Sequence, residues 1–282
     1  MRLHRKGQQL ITREREREEA EVDGWVAQRR VITRTNLVAV LSPKGGVGKT
    51  TCSYVVGDAL AARPKLRTLV IDANPDFGTL GKLAADSQNS GRQLTHVIAH
   101  MDRIRSASEL DPIMSSTPTG LHLLAAPQRP DIMAAMTPAL YGRLLAFLGR
   151  FYHVILLDLG PGVTSPLVQF ALQRADQALL VTQTDWVTLS TVYEALDCVL
   201  AHLDGHQLTI AHNKVERGDE EAGLGALNKR LRELHITREV RLPMNRQLHH
   251  MLNQGTYVAE QLDSQTRIAI KRLALAVTGQ LV

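Results

Sequence analysis

Short, mainly apolar segments recur along the chain at intervals that leave room for a helix between them. Their length and their content of β-branched residues predict strands that are buried on both faces. The segments are 37–41, 68–71, 121–124, 154–157, 178–181 and 208–211. Between them, apolar residues recur at three- and four-residue steps, which predicts amphipathic helices. The helical candidates are 51–62, 131–148, 190–203, 221–234 and 265–277.

This alternation of strands and helices predicts the fold class. Continuous apolar strands joined through helices form parallel sheets that are covered on both faces. We therefore expect an α/β protein with a doubly wound, mostly parallel sheet and helices on both of its faces. In such folds ligands bind beyond the carboxyl ends of the strands, so functional residues are expected at that edge of the sheet.

The first 35 residues differ from the rest of the chain. A block of alternating charges runs from Arg13 to Glu19, and the first apolar cluster contains Val22, Trp25 and Val26. We predict that residues 1–35 form a charged extension, helical or partly disordered, and that one globular domain occupies 36–282. Mixed charges with a single apolar cluster can fold upon docking to a partner protein. A helix packed on its own domain is the alternative.

Composition excludes several classes of protein. Two cysteines, Cys52 and Cys198, are too few for a disulfide framework or a thiolate metal cage. No apolar run approaches the roughly 18 residues that span a bilayer, and the N-terminus turns polar where a secretory signal would become apolar. We expect a cytoplasmic protein. The net charge of +5 favours an anionic partner without separating nucleic acid from a membrane surface.

A glycine-rich segment follows the first predicted strand and opens the next helix. Glycines let the backbone wrap around phosphate oxygens, and the start of a helix adds its positive dipole end. We assign Lys49 to the β- and γ-phosphates, the Thr50 hydroxyl to Mg²⁺ and Thr51 to the α-phosphate. A turn that merely links strand to helix needs neither the lysine nor two threonines. ATP or ADP with Mg²⁺ is therefore the predicted ligand of Gly45, Gly46, Val47, Gly48, Lys49, Thr50 and Thr51.

A second lysine, Lys44, precedes the glycines, where an ordinary phosphate loop requires none. The run Lys44-Gly-Gly-Val-Gly-Lys-Thr-Thr51 resembles the deviant Walker A motif of the MinD/ParA ATPases, which are P-loop proteins. The resemblance implies that Lys44 reaches across a dimer interface to the nucleotide of the partner subunit. It therefore implies a homodimer in the ATP state.

Two more segments resemble motifs of the same family. Leu69-Val-Ile-Asp72-Ala-Asn74-Pro75 is similar to its second acidic motif, and the run from Tyr152 through Asp158 to Gly162 is similar to its Walker B strand and switch loop. The resemblance implies that Asp72 and Asp158, together with Thr50, hold the magnesium shell, and that Gly160 and Gly162 let the loop rearrange. The alternative role for such an aspartate is to cap the N-terminus of a helix. That role accounts well for one aspartate but poorly for two at matching strand ends.

One position departs from the family pattern. The family usually has a second aspartate that positions the attacking water, and this chain has Asn74 there. An amide can orient water but cannot accept its proton at neutral pH. We therefore hypothesise that the protein binds ATP well and hydrolyses it slowly without a partner. Asp76 is near enough in the sequence to substitute.

Two later positions are candidates for contact with the nucleotide base. Leu208-Thr-Ile-Ala-His-Asn213 resembles the family strand that ends in an adenine-recognising asparagine, whose amide offers both a donor and an acceptor. An asparagine turn at a strand end is the alternative. Pro243 lies in a segment that resembles the later loop packed on the base. Thr182, Thr184 and Asp185 end another strand on the same rim and are candidates for the nucleotide-facing or dimer surface. Ordinary loop capping explains them equally well.

Charge in the later part of the chain leaves the partner open. Several cations there suit a nonspecific DNA-binding face, but interleaved acids favour a solvated face of mixed charge. The cations are Arg217, Lys229, Arg230, Arg232, Arg238, Arg241 and Arg246. The amphipathic stretch 267–277 suits a membrane-surface helix less well than a helix packed in the core, since it lacks an aromatic anchor. The histidines predict no zinc site.

Together these features predict an ATPase that acts as a molecular switch. Mg·ATP is expected to drive dimerisation, and hydrolysis, stimulated by a partner, to reset the monomer. Its cargo is then DNA or a protein complex, and residues 1–35 are the candidate partner-binding element. The alternative is a nucleotide-stabilised scaffold or accessory protein of a secretion or polar complex with little turnover. The residues assigned to catalysis are Lys44, Lys49, Asp72, Asn74 and Asp158.

Overall fold

An eight-stranded sheet forms the centre of the computed structural model, which describes residues 16–24, 34–63, 66–75, 78–83, 93–127, 129, 131–132, 135–216 and 224–279. The strand order is β3-β4-β2-β5-β1-β6-β7-β8, and every pair is parallel except β3 with β4. The strands are β1 Asn36–Leu41, β2 Thr68–Ala73, β3 Ser115–Ser116, β4 His122–Leu124, β5 Val154–Leu159, β6 Gln177–Thr182, β7 Leu208–Val215 and β8 Arg238–Pro243.

Helices cover both faces of this sheet, as the apolar pattern predicts. In chain order they are residues 16–24 (α1), Lys49–Ala61 (α2), Leu80–Leu83 (α3), Leu94–His100 (α4), Ala107–Leu110 (α5), Pro138–Leu148 (α6), Pro166–Arg174 (α7), Trp186–Leu200 (α8), Leu224–Glu233 (α9), Arg246–Gln254 (α10) and Ser264–Val277 (α11). Short 3-10 turns lie at Asp111–Ile113, Gly205–Gln207 and Ala259–Gln261.

Two hydrophobic cores lie on opposite faces of the sheet. One core packs α2, α10 and α11 against it, and the other packs α4, α6, α7, α8 and α9. Alternate strand residues contribute to each: Val38 and Val40 of β1 face the first core, and Ala39 and Leu41 face the second. The predicted doubly wound α/β fold, with a mostly parallel sheet and helices on both faces, is confirmed.

Capping residues set helix starts that periodicity alone places wrongly. The predicted helix 131–148 is interrupted: residues 131 and 132 are helical, residues 135–137 are not, and α6 begins at Pro138 with Thr137 accepting a hydrogen bond from the Leu140 amide. Asp185 accepts from the Thr188 amide, so α8 begins four residues before the predicted Ser190. Helix boundaries thus follow local hydrogen bonding more closely than the apolar stripe.

Several elements have no counterpart in the prediction. Helices α4, α7 and α10 and strand β8 are the main ones. Strand β8 lies at one edge of the sheet, and its exposed residues Glu239 and Arg241 alternate with the buried residues Val240 and Leu242. Charged residues on an edge strand hinder pairing with other chains. Its alternation of charged and apolar residues differs from the continuous apolar runs of the buried strands.

The described helix of the N-terminal extension packs on its own domain. Glu19 of α1 accepts two hydrogen bonds from the Arg267 guanidinium, both 2.8 Å, and one from Lys271 at 3.0 Å. Val22 is buried against Ile268 and Leu275 of α11. Residues 16–24 therefore form a helix that packs on its own domain, which was the alternative to docking on a partner protein. Trp25 and Val26 lie outside the described residues.

Helix α11 belongs to the core. Nine of its 14 residues are buried, which agrees with core packing rather than a helix lying on a membrane. Among the residues that the structure describes, no helix is long and apolar enough to cross a membrane.

We predict that Glu19→Gln destabilises the protein by about 1–2 kcal/mol at pH 7, because it weakens charge-assisted hydrogen bonds to Arg267 and Lys271. These contacts lower the pKa of Glu19 to about 2, with the Arg267 hydrogen bond as the main cause. The contribution is therefore present above the ordinary pKa near 4.5 and lost as the pH falls toward 2. Urea unfolding measures it, and Glu21→Gln, on an exposed position of the same helix, should have no such effect.

Candidate nucleotide site

The glycine-rich loop has the backbone geometry that its sequence predicts. Gly46 and Gly48 have φ angles of 80° and 96°, in the left-handed region that favours glycine. Gly48 is also the N-cap of α2, and no side chain caps the first amides of that helix. The open start of a 13-residue helix therefore lies at the loop, where its N–H groups and positive dipole end suit a phosphate.

The end of β7 braces this loop from the side. The Asn213 amide nitrogen donates to the Val47 carbonyl at 2.8 Å, and the Lys214 ammonium donates to the Gly46 carbonyl at 3.1 Å. A Cβ on Gly48 would lie 2.2 Å from the Asn213 amide nitrogen, so only glycine fits there. The side-chain amide of Asn213 thus holds the loop. That Asn213 recognises adenine stays a prediction.

Sequence reasoning missed the role of Lys214. Its backbone is left-handed, with φ 57°, where the pairing of β7 with β8 shifts register between His212 and Val215. This bulge directs the chain after Asn213 toward the loop. The sequence carried one sign of this role, which is a lysine directly after the asparagine at the end of the strand.

Asp72 and Asp158 end the neighbouring strands β2 and β5 and lie opposite each other in the parallel register. They are 0% and 1% exposed. Burial raises the pKa of Asp72 to about 6. Burial, and then the charge of Asp72, raise the pKa of Asp158 to about 7. The pair therefore concentrates negative charge that is poorly solvated at the carboxyl edge of the sheet.

Helix α2 supplies the polar partners of Asp158. The Ser53 hydroxyl donates to it at 3.2 Å, and the Thr50 hydroxyl also hydrogen-bonds to its carboxylate. Lys49 is buried, and burial lowers its pKa while the charge of Asp158 opposes that shift. Ser53 was not among the predicted residues, although it follows Lys49 by one helical turn and so shares its face of the helix.

Asp72 also organises the chain that follows β2. It accepts hydrogen bonds from the amides of Asn74 and Leu80, both at 3.1 Å, so it caps the start of α3. The capping role considered for a single aspartate is therefore real for Asp72, in addition to its position beside Asp158. A Cβ on Gly78 would lie 2.0 Å from the Asp72 carboxylate.

The segment after β5 packs on the segment after β2. A Cβ on Gly160 would lie 2.8 Å from Pro75 and 3.1 Å from the Asn74 side-chain oxygen. Gly162 has φ 92° and donates from its amide to the Ser42 carbonyl beyond β1. Asn74 thus lies at the carboxyl edge of the sheet, where Asp72 and Asp158 also lie. Asp76 lies outside the described residues.

The chemistry of these residues fits a nucleotide with Mg²⁺. Thr50, Asp158 and Asp72 offer hydroxyl and carboxylate oxygens, which Mg²⁺ prefers, and the ion usually completes its shell with water and phosphate oxygens. Within the described ranges there is no group of three or more His, Cys, Asp and Glu that could hold a metal ion alone. Such a group is unnecessary for an ion that is shared with a nucleotide.

Lys44 is held by its own chain beside the loop. Its ammonium donates to the Thr188 hydroxyl at 3.0 Å and lies 3.8 Å from the Asp185 carboxylate. Both residues belong to the start of α8, where Asp185 is the N-cap. The capping considered for Asp185 is therefore present, and the same residue also neutralises Lys44.

Pro243 ends β8 on the same edge. It pairs with Val215, two residues beyond Asn213, and the Met244 amide donates to the Val215 carbonyl. The structure thus brings Pro243 near the strand end that braces the loop. Its contact with a nucleotide base stays a prediction.

Acidic neighbours neutralise part of the later basic region. Arg230 pairs with Asp197 at 2.6 Å, and Lys229 lies 3.9 Å from Glu233. This agrees with a solvated face of mixed charge for these two cations. Arg217 lies outside the described residues.

We predict that Asp158→Asn makes the nucleotide-free protein more stable by about 1–2 kcal/mol, which raises Tm by about 2–8 °C. The amide keeps the volume and removes one of two buried neighbouring charges. Because the pKa of Asp158 is raised to about 7, the folded state takes up a proton, and wild-type stability should rise from pH 8 to pH 6 relative to the variant. A lower Tm for Asp158→Asn would contradict this account. Asp102→Asn, with a side chain that is 85% exposed, is the control and should change little.

Comparison with known proteins yields a match to a domain family and matches to curated relatives. A family model described as an AAA domain matches residues 35–204, more than half of the chain. The ESX-1 secretion-associated protein EspI of Mycobacterium tuberculosis is 28% identical over 169 residues, which are 58% of this chain and 24% of EspI. The chain therefore spans about a quarter of the length of that relative.

Solved structures match over most of the chain. A ParA family ATPase from Chlorobium tepidum superposes with a TM-score of 0.69 at 21% identity, over 86% of this chain and 99% of that chain. The septum site-determining protein MinD of Pyrococcus horikoshii, solved with Mg-ADP, gives 0.66 at 18% identity, over 85% and 94%. The chain belongs to the AAA domain family and has the fold of the MinD/ParA-like P-loop ATPases.

Proposed function

We propose that this protein is a cytoplasmic, ATP-hydrolysing molecular switch that dimerises around Mg·ATP to position or partition a cargo, such as DNA or a protein complex. The observation that carries the proposal is the cluster of Lys49, Thr50 and Asp158 at a left-handed glycine loop, with Lys44 at its mouth. An ordinary structural turn has no use for a buried lysine facing a buried carboxylate.

Each part of the loop has a place in nucleotide binding. The amides of Gly45 to Gly48 and the Lys49 ammonium would hold the phosphates, and Thr50 and Asp158 would hold Mg²⁺, with Asp72 in its outer shell. When bound, Mg²⁺ neutralises phosphate charge. The loop would orient the nucleotide, since Asn213 and Lys214 fix the carbonyls of Val47 and Gly46.

Slow turnover in the isolated protein follows from Asn74. Its amide can orient a water molecule but cannot take its proton at neutral pH. A partner that supplies or repositions a base would then control the lifetime of the ATP state. This is the property that a switch requires, because the bound state must outlast the search for its cargo.

Dimerisation requires Lys44 to change partners. In the structure its ammonium contacts Thr188 and Asp185 of the same chain. The side chains of Lys44 and Asp185 are 42% and 47% exposed, so the ion pair between them is weak and exchangeable. The γ-phosphate of a nucleotide bound to a second subunit offers a stronger acceptor, and this supports an ATP-dependent homodimer.

We predict an ATP-dependent dimer that Lys44→Ala and Lys49→Ala each abolish. Mass in solution, measured by light scattering with ADP, ATP and a slowly hydrolysed ATP analogue, provides the test. Lys49→Ala should fail because nucleotide binding is lost, whereas Lys44→Ala should still bind nucleotide as a monomer. The matched control is Lys82→Ala, on an exposed position of α3. A monomer of unchanged mass with every nucleotide would refute the switch.

A second candidate function is a nucleotide-stabilised scaffold or accessory protein of a secretion complex. The similarity to a relative described as secretion-associated favours it, and Asn74 favours a protein with little turnover. In this case ATP would fix one conformation for docking, and the cargo would be a component of the secretion apparatus. DNA would then have no effect on hydrolysis.

We predict that Asn74→Asp raises single-turnover ATP hydrolysis by at least about 10-fold, because a positioned general base contributes about 10²–10⁴-fold to such steps. Asn74→Gln, which keeps the amide, should not raise it. Measurements with and without DNA or lipid vesicles separate the two functions. Stimulation of the wild type by either addition supports the switch, and hydrolysis that neither addition nor Asn74→Asp increases supports the scaffold.

A further inference from the structure

A cavity of about 270 Å³ lies away from the nucleotide site, between α1, the second half of α2, α11 and residues 257–260. Asp58 in its wall is nine residues after Lys49 on the same helix, about 14 Å along the helix axis. The cavity holds the volume of about nine water molecules. It is therefore large enough for a small metabolite and separate from the phosphate loop.

One wall of the cavity is a closed network of ion pairs. Glu19 binds both Arg267 and Lys271, and Lys271 also lies 2.6 Å from Asp23. These charges satisfy one another, so they offer little to a ligand. They fix α1 on α11 and thereby form the outer side of the cavity.

The α2 wall carries two opposite charges that do not pair. Asp58 is 3% exposed and, within the described part of the chain, accepts a single side-chain hydrogen bond, from the Thr119 hydroxyl. The Arg63 Nε atom is buried and has no hydrogen-bond partner among the described residues. The other charges that act on these groups are acidic: Glu260 beside Asp58 and Asp23 beside Arg63. A buried carboxylate and a half-buried arginine with a buried, unbonded Nε atom thus line one cavity, and no ion pair joins them among the described contacts.

The remaining surface also suits a small polar ligand with an apolar body. The Tyr257 hydroxyl is buried and has no hydrogen-bond partner in the described part of the chain, and its ring packs edge-on against Tyr54 at 5.5 Å. Ala59, Ile270 and Ala274 supply apolar lining. A buried hydroxyl without a hydrogen-bond partner, beside unpaired charges, destabilises the folded protein unless a ligand or water supplies the missing hydrogen bond.

We propose that this cavity is a binding site for a small zwitterion of the free amino acid class, with its ammonium group toward Asp58 and its carboxylate toward Arg63. A simple cation would neutralise Asp58 and leave Arg63 unpaired, and a simple anion would do the reverse. A zwitterion satisfies both charges at once, and its polar groups can also pair with the Tyr257 hydroxyl. Charge-assisted hydrogen bonds of this kind are the strong ones.

The test is a thermal-shift screen of the full chain against the L-amino acids at 10 mM, followed by calorimetry. We expect at least one amino acid to bind, and its amide and N-acetyl derivatives, which each lack one charge, to bind at least 10-fold more weakly. Asp58→Asn and Arg63→Gln should each weaken binding by at least 10-fold. Ala59→Leu, which fills the cavity and leaves both charges, should also abolish binding and covers the case in which a charge variant fails to fold.

Three results would overturn the proposal. They are the absence of binding by every amino acid, binding of putrescine or succinate as tight as that of the best amino acid, and binding that survives Asp58→Asn, Arg63→Gln and Ala59→Leu. Glu21→Gln on the exposed side of α1 is the matched control and should leave affinity unchanged. Binding should persist in Lys49→Ala, because the cavity shares no residue with the phosphate loop.

Discussion

The rest of the site depends on one constraint, the close approach of two buried carboxylates. Parallel pairing of β2 with β5 sets Asp72 opposite Asp158, and the sheet buries both. Their raised pKa values record the cost of keeping two charges in a poorly solvated place. Lys49 lies close enough for its charge to oppose that cost but does not cancel it. The fold therefore carries a local excess of negative charge that a divalent cation would relieve, and this excess is the physical basis of the nucleotide site that we propose.

The other features of the site hold the chain around that charge. Asp72 caps α3 and positions the segment with Asn74, while Asn213 and Lys214 hold the glycine loop from the opposite side. The contacts of Asp72 order the segment that follows β2, whereas those of Asn213 and Lys214 join the end of β7 to the loop that follows β1. Lys44 lies at the rim, where its side chain is 42% exposed and contacts buried Thr188 and partly exposed Asp185.

The sequence was sufficient for the fold class and the loop, and insufficient for contacts between distant segments. Strands β1, β2 and β5 are continuous apolar runs, which only a doubly covered sheet produces. The start of α6 depends on Thr137 and Pro138, and periodicity does not report such caps. The bracing by Lys214 depends on a register shift in β7, and the docking of α1 depends on pairs between residues about 250 positions apart. Long-range geometry of this kind leaves no periodic pattern in the sequence.

The most direct test of this account is a calorimetric titration of the wild-type protein with ADP, in Mg²⁺ and in EDTA. If the buried carboxylates form the site described, ADP binds at one site per chain with Mg²⁺ present and at least about 10-fold more weakly without it, since one lost charge contact costs about 1.4 kcal/mol or more. ADP binding of equal strength in both conditions would contradict the role given to Asp72 and Asp158. No binding in either condition would contradict the nucleotide site itself.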